Sequence, residues 1–165
     1  SECQGRMVHS SVASRILVID DEAGVRESVC GVLSDLGYIV AEASSGLPQV
    51  ILIATGSELQ MAIEAREVLE ADGAPTRVVS MPCMDWFQEQ DSAYRESVLP
   101  PIVKARVSVE AGIAMPWHRY TGDGGENVSI EHFGASADYK TLFREFGFTT
   151  ENVVAAAQRS LAKNS

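Results

Sequence analysis

Apolar residues along the chain follow two rhythms: short aliphatic runs, and longer stretches in which they return every three or four positions. Arg15-Ile-Leu-Val-Ile19 is a run of the length of a buried parallel strand, ending in the carboxylates Asp20 and Asp21. Val25, Val29, Val32, Leu33 and Leu36 then recur at helical spacing until Gly37, which predicts a helix with a glycine stop. Tyr38 to Ala43 is a second short strand, closed by the turn residues Ser44, Ser45 and Gly46. Strand, helix and strand with short links make a right-handed βαβ unit with parallel strands.

The rhythm then repeats. Val50 to Ala54 reads as a fully buried strand, and Ser57 as the N-cap of a helix that turns Leu59, Ile63, Val68 and Leu69 inward before Gly73 and Pro75 end it. Arg77 to Ser80 predicts a strand. Tyr94 to Leu99 predicts a short helix stopped by Pro100-Pro101. Arg106 to Glu110 and Asn127 to Glu131 predict two more strands, separated by a stretch, Ala111 to Tyr120, with room for one helical turn. Two helices close the chain: one carries Tyr139, Leu142, Phe143 and Phe146, and the other opens at Thr149 or Thr150 and buries Val153, Val154, Ala157 and Leu161. Strands alternating with helices define an α/β sandwich.

Length and charge narrow the picture. A chain of 165 residues holds one α/β domain, placed at 15–165, with Ser1 to Ser14 read as a tag, linker or disordered arm. A net charge of -10 repels a phosphate backbone, and no run of 18 apolar residues spans a bilayer, so neither nucleic acid nor membrane is an expected partner and the expected location is cytoplasmic. Cys3, Cys30 and Cys83 lack Cys-x-x-Cys spacing and read as free thiols.

Two resemblances meet in this pattern. Residues 15–45 resemble the start of a response-regulator receiver domain through Ile16-Leu-Val-Ile-Asp-Asp-Glu22 and Leu36-Gly-Tyr38. That resemblance implies Mg²⁺ binding by Asp20 and Asp21, but the phosphoacceptor Asp is missing, because the strand Val50 to Ala54 runs into Thr55-Gly56. From Gly37 to about Leu161 the chain resembles the transketolase C-terminal domain, through Val50-Ile-Leu-Ile-Ala-Thr-Gly-Ser-Glu58, Arg77-Val-Val-Ser-Met-Pro82, Arg106-Val-Ser-Val-Glu-Ala-Gly112 and Ile130-Glu-His-Phe-Gly-Ala-Ser-Ala137. This second resemblance implies a mixed sheet with an antiparallel edge strand, and a chiefly structural domain that supports the dimer. Thiamine diphosphate and sugar phosphate would sit mainly in other domains. Both families claim Tyr38 to Ala43, so the chain reads as a chimera, or else as a natural chain that is receiver-like over thirty residues.

The candidate chemistry is sparse. Asp20 and Asp21 offer two hard oxygen ligands to Mg²⁺, fewer than that ion needs, and would equally serve as solvated carboxylates beside a helix start. Gly122-Asp-Gly124 with Asn152 imitates a thiamine-diphosphate signature, although capping accounts for Asn152. His118 and His132, with Glu110, Glu131 and Asp138, supply proton-transfer groups near strand ends, and Arg119 and Lys140 are either anion contacts or plain surface charges. No catalytic residue and no bound cofactor is expected.

The combined expectation is a three-layer sandwich around a mixed six-stranded sheet. Named by first residues, its strand order is Arg15, Tyr38, Arg77, Val50, Arg106, Asn127, with the first two antiparallel to the other four. The expected role is non-catalytic self-association as a dimer or higher, through surface residues such as Leu99, Ile102, Trp117 and Phe133 or through exchange of the N-terminal arm. The alternatives are a transketolase fragment or selected promiscuous enzyme, and a degenerate receiver-like binding module.

Overall fold

The computed structural model describes the backbone of Arg15–Ile19 and Ile39–Ala43 and the whole of residues 47–165. The expected helix after Asp21, the carboxylates Asp20 and Asp21, the thiols Cys3 and Cys30, and the arm at 1–14 lie outside the described residues.

The centre of the fold is a parallel sheet built from β3 (Val50–Ala54), β4 (Thr76–Ser80), β5 (Arg106–Val109) and β6 (Glu126–Val128), in the order β4-β3-β5-β6. All five residues of β3 have 0% exposure, as a continuous aliphatic run with helices on both faces requires. Strand alternation sends Val50, Leu52 and Ala54 to one face and Ile51 and Ile53 to the other. The first face is covered by α1 (Leu59–Ala71) and α6 (Thr150–Lys163). The second is covered by α2 (Met84–Gln88), α3 (Ser92–Val98), α4 (His118–Thr121) and the loop after α3, which place Phe87, Val98, Leu99, Trp117 and Tyr120 against the strands.

The helix ends are set by short-range chemistry. Asp91 caps α3 by accepting from Tyr94 N at 2.8 Å, Asp138 caps α5 (Tyr139–Glu145) through Thr141 N at 3.1 Å, and Thr149 caps α6 through Asn152 N at 3.3 Å. Gly73 and Gly147, at φ 83° and 80°, stop α1 and α5; the next amides, of Ala74 and Phe148, reach back to Leu69 O and Phe143 O at 2.9 and 2.7 Å. Ser57 is not a cap. A 3₁₀ turn, Gly56–Glu58, precedes α1, and the Ser57 hydroxyl donates to the Glu58 carboxylate instead.

The inward face of α1 also differs from the periodic reading. Ala62, Ala65 and Leu69 are buried, whereas Leu59 and Ile63 are only partly covered and Val68 is 43% exposed. The cause is its partner. Helix α6 presents Ala156 and Ala157 at the same core, and small residues on both helices allow a close approach that rotates the alanine face of α1 inward. Likewise Tyr139 is exposed, while Phe143 and Phe146 pack on this core.

Two arginines, Arg77 buried and Arg106 partly buried, lie in one row across the sheet. Arg77 of β4 and Arg106 of β5 both stand opposite Ile51 in register, so their side chains share a face. Arg77 Nη1 donates to Ser97 O and Val98 O at 2.6 and 2.9 Å, and Arg106 reaches Leu99 O, Pro100 O, Val103 O and Tyr120 O at 3.2, 2.8, 2.8 and 2.9 Å. The bonds to Ser97, Val98 and Leu99 O satisfy carbonyls left open where α3 ends at a proline pair. Burial pushes both guanidinium groups below their ordinary value. On the other face the Ser160 hydroxyl joins Arg106 N to Gly124 O, and Glu126 accepts from Arg159 at 3.1 Å and from Lys163, fastening α6 to β6. The Lys163 hydrogen bond, against the cost of burial, leads in holding the Glu126 carboxyl below its ordinary value.

The expected six-stranded mixed sheet is corrected. The order Arg77, Val50, Arg106, Asn127 is present, but as a sheet of four parallel strands. The strands β1 (Arg15–Ile19) and β2 (Ile39–Ala43) pair in parallel, from Arg15 opposite Ile39 to Ile19 opposite Ala43, within one chain and in a separate two-stranded sheet. Some Cα atoms of β2 and β4 come within 8 Å, yet no ladder joins them. A ladder needs strands about 4.8 Å apart with amides and carbonyls in phase, and proximity alone does not supply that. The last strand is also shorter than expected. After Val128 the chain leaves β5, because Ile130 N bonds Gly112 O at 2.8 Å in the loop beyond the strand.

Leu52→Ala should lower unfolding free energy by about 2–5 kcal/mol, whereas Val68→Ala should change it by less than about 0.5 kcal/mol. Urea unfolding of both variants checks this, and comparable losses would mean that the inward face of α1 is wrongly identified.

Candidate functional site

From β3 the chain moves to β4 on one side and then crosses to β5 on the other, so the loops leaving the C-terminal ends of β3 and β5 diverge. Such a switch point is where open α/β sheets form a crevice. Three loops meet there: 55–58 after β3, 81–83 after β4 and 110–117 after β5.

Their polar groups are tied together. The Thr55 hydroxyl donates to Glu110 Oε2 across the β3/β5 gap. Glu58, only 6% exposed, accepts from Ala111 N at 3.2 Å through one oxygen and from the Ser57 hydroxyl at 2.9 Å through the other. Met81 N bonds Ala54 O at 2.9 Å, and Gly112 N bonds Glu110 O at 2.7 Å. The loops border an open cleft of about 320 Å³, lined by Thr55, Met81, Pro82, Met84, Glu110, Gly112, Ile113, Pro116 and Trp117. Its polar side chains are one carboxylate and one hydroxyl, and the remainder of the lining is apolar or backbone.

The other expected proton-transfer groups are engaged elsewhere. Glu131 accepts from Ala114 N at 2.7 Å and from the Ser129 hydroxyl at 3.0 Å, fastening the loop after β6 to the loop after β5. The Ala114 amide, then Ser129, and to a lesser degree the charge of His118 hold its carboxyl below the ordinary value. His118 Nδ1 lies 3.5 Å from Asn127 Nδ2, while Asn127 Oδ1 accepts from Ser108 and Thr121 at 2.7 and 3.3 Å. His132 donates through Nδ1 to Phe133 O at 2.8 Å and stands edge-on to Phe146 at 4.6 Å. Asp138 is a helix cap, and its bonds to Thr141 hold its carboxyl low. Lys140 Nζ lies 6.0 Å from the centre of the Tyr139 ring, and Arg119 is exposed. Among the described residues no three His, Cys, Asp or Glu side chains are placed to hold a metal, and Asp20 and Asp21 lie outside them.

In Gly122-Asp-Gly124 with Asn152, the second glycine and the asparagine each have a structural partner. Asn152 spends its side-chain amide on Gly147 O at 2.8 Å. A Cβ on Gly124 would lie 2.3 Å from Asn164 Oδ1, so that glycine serves contact with the end of α6. Glu58 was absent from the sequence-based candidates because Ser57-Glu58 imitates the start of a capped helix. Its signal was a carboxylate two positions beyond a glycine at the end of a fully buried strand.

The four parallel strands, the helices on both faces and the loop crevice define an open α/β domain with a switch point between its first two central strands. Residues 37–149 match the model of the transketolase-like TK C-terminal domain family, and the chain belongs to that family. It is 58% identical over 130 residues to transketolase of Mycobacterium bovis, covering 76% of this chain and 18% of that protein. To transketolase 1 of Escherichia coli K12 it is 54% identical over 125 residues, covering 76% and 19%. Among solved structures, a transketolase complex with sedoheptulose 7-phosphate from Pichia stipitis superposes with a TM-score of 0.67 at 34% identity, covering 74% of this chain and 18% of that one. Transketolase from Leishmania mexicana superposes with a TM-score of 0.66 at 28% identity, covering 91% and 26%. The chain thus spans about a fifth of the length of the curated relatives. Among the described residues no helix is long and apolar enough to cross a membrane.

The Ala114 amide should report the Glu131 titration. Because this carboxyl is held low, its loop-fastening bond is fully present above the ordinary glutamate pKa and is lost as pH falls through the lower folded-state value. An amide-shift titration of Ala114 should show a midpoint below that of a model glutamate, and Glu131→Gln should remove it. A midpoint at or above that of an unperturbed glutamate would contradict the arrangement.

Proposed function

We propose that the chain is a transketolase C-terminal domain acting as a non-catalytic folding and self-association unit, extended by a receiver-like strand and helix in a chimeric or recombined protein. The observation that carries the reading is the state of the crevice. Glu110 lines it without a lysine, arginine or histidine opposite, and outside it Glu58 and Glu131 are spent on loop amides, His132 on a backbone carbonyl and Asp138 on a helix cap, so among the described residues no acid and base face each other across a substrate-sized gap. The family match beginning at residue 37 supports a junction at the second strand, as does the β1/β2 pair, which has the parallel pairing of a βαβ unit. Exchange of the N-terminal arm between chains is a route to association that keeps this pairing.

The proposed surface is narrower than the one expected. Leu99 and Trp117 are core, at 7% and 2% exposure, because α3 and the 3₁₀ turn Met115–Trp117 cover the second sheet face. Ile102 and Phe133, at 73% and 99%, project from the surface. Ile102 borders an open cleft of about 460 Å³ with Leu47 and Leu161, at the N-terminal ends of β3 and β5 and so at the opposite end of the strands from the crevice. Covering such apolar groups favours association by removing them from water.

Light scattering should show an oligomer, with the double variant Ile102→Ser, Phe133→Ser shifted towards monomer at nearly unchanged stability, since both positions are exposed. The purified chain should show no ketol transfer with thiamine diphosphate and Mg²⁺. Turnover by the chain alone would overturn the non-catalytic reading and favour the enzyme fragment.

A further inference from the structure

We infer that the crevice between β3 and β5 is a binding site for a small organic cation, an amine carrying an apolar body. Three features carry this. The polar lining is unbalanced: Glu110 and Thr55 face the cleft, and among the described residues no lysine, arginine or histidine lines it. Thr55 occupies Glu110 Oε2, and Glu110 Oε1 has no hydrogen-bond partner among the described residues, so one carboxylate oxygen is left to accept from a charged donor.

The remaining walls suit the rest of such a ligand. Met84, Ile113 and Pro116 give the opening apolar surface, and Met81 and Trp117 close its floor. Met81 and Trp117 are each 2% exposed, and the Trp117 ring lies 6.1 Å from that of Tyr120, so these walls are set before a ligand arrives. The loop backbones are pinned by Met81 N to Ala54 O and Ile130 N to Gly112 O, at 2.9 and 2.8 Å. An open cleft of about 320 Å³ lies at the lower end of the range for ligand sites and admits a fragment rather than a nucleotide.

Charge decides between ligand classes. A phosphorylated ligand would set its anion against Glu110, with Glu58 close behind and a net charge of -10 around it. An ammonium group meets the opposite field. The inference is independent of the self-association reading, because binding is read from amide shifts and association from light scattering.

Benzylamine is the probe, with benzyl alcohol and phenyl phosphate as neutral and anionic controls of similar shape. In ¹H–¹⁵N spectra of the full chain, benzylamine should shift Thr55, Glu110, Gly112 and the Trp117 indole with a dissociation constant in the roughly millimolar range. Benzyl alcohol should bind about tenfold more weakly or not at all, and phenyl phosphate should leave these signals in place. Glu110→Gln should weaken the amine about tenfold or more, the loss expected for one charge-assisted hydrogen bond. Should Glu110→Gln not fold, Ile113→Lys places a cation at a position 51% exposed on the rim and should weaken benzylamine while the fold is kept. Equal or tighter binding of phenyl phosphate, no amine shifts at these residues, or amine binding unchanged in the variant that folds would each overturn the inference.

Discussion

The burial of Val50–Ala54 on both faces is the constraint on which the rest of the described fold depends. A strand with no exposed residue requires neighbours on both edges and a helical layer on each face. β4 and β5 supply the edges, and because β3 precedes both in the chain, supplying them forces the connection to change direction. The crevice follows from that reversal. Each side chain of β3 contributes about 1.5–3 kcal/mol if it is a full-sized aliphatic, so the central row contributes heavily to the favourable side of folding.

Around this strand, charge is used mainly to fasten backbone. Arg77 and Arg106 flank Ile51 and satisfy carbonyls of a segment whose prolines cannot continue a helix. Their fork-shaped donors suit that task in a way an ammonium group does not. Glu58 and Glu131 do the converse, offering carboxylate oxygens to the amides of Ala111 and Ala114. The loop after β5 is therefore fixed at two points, by side chains from two other loops. This rigidity keeps the apolar walls of the crevice in place and leaves Glu110 as a carboxylate with a free oxygen.

The same use of charge bears on function. Enzyme sites keep acids and bases poised near a reacting atom, with a perturbed proton affinity that serves transfer. Here the depressed carboxyls of Glu126, Glu131 and Asp138 have structural causes: an ion pair, a loop amide and a helix cap. The domain spans about a fifth of its transketolase relatives, and these three carboxyls serve its own structure.

Local chemistry decided what was legible in the sequence. The aliphatic runs at Val50, Arg77 and Arg106, the helix start at Thr149, the stop at Gly73 and the family itself could be read directly, because strand period, capping and motif depend on neighbouring residues. Three features could not. The inward face of α1 depended on the alanines of α6, nearly a hundred residues away; the burial of Leu99 and Trp117 depended on which helices cover the second sheet face; and the break between the β1/β2 pair and the four-stranded sheet depended on spacing across an edge. Glu58 and Glu110 owe their place in the crevice to strand order. Residues 55–58 and 110–112 meet only because β3 and β5 pair, and pairing between segments more than fifty residues apart is a property of tertiary structure that no local pattern encodes.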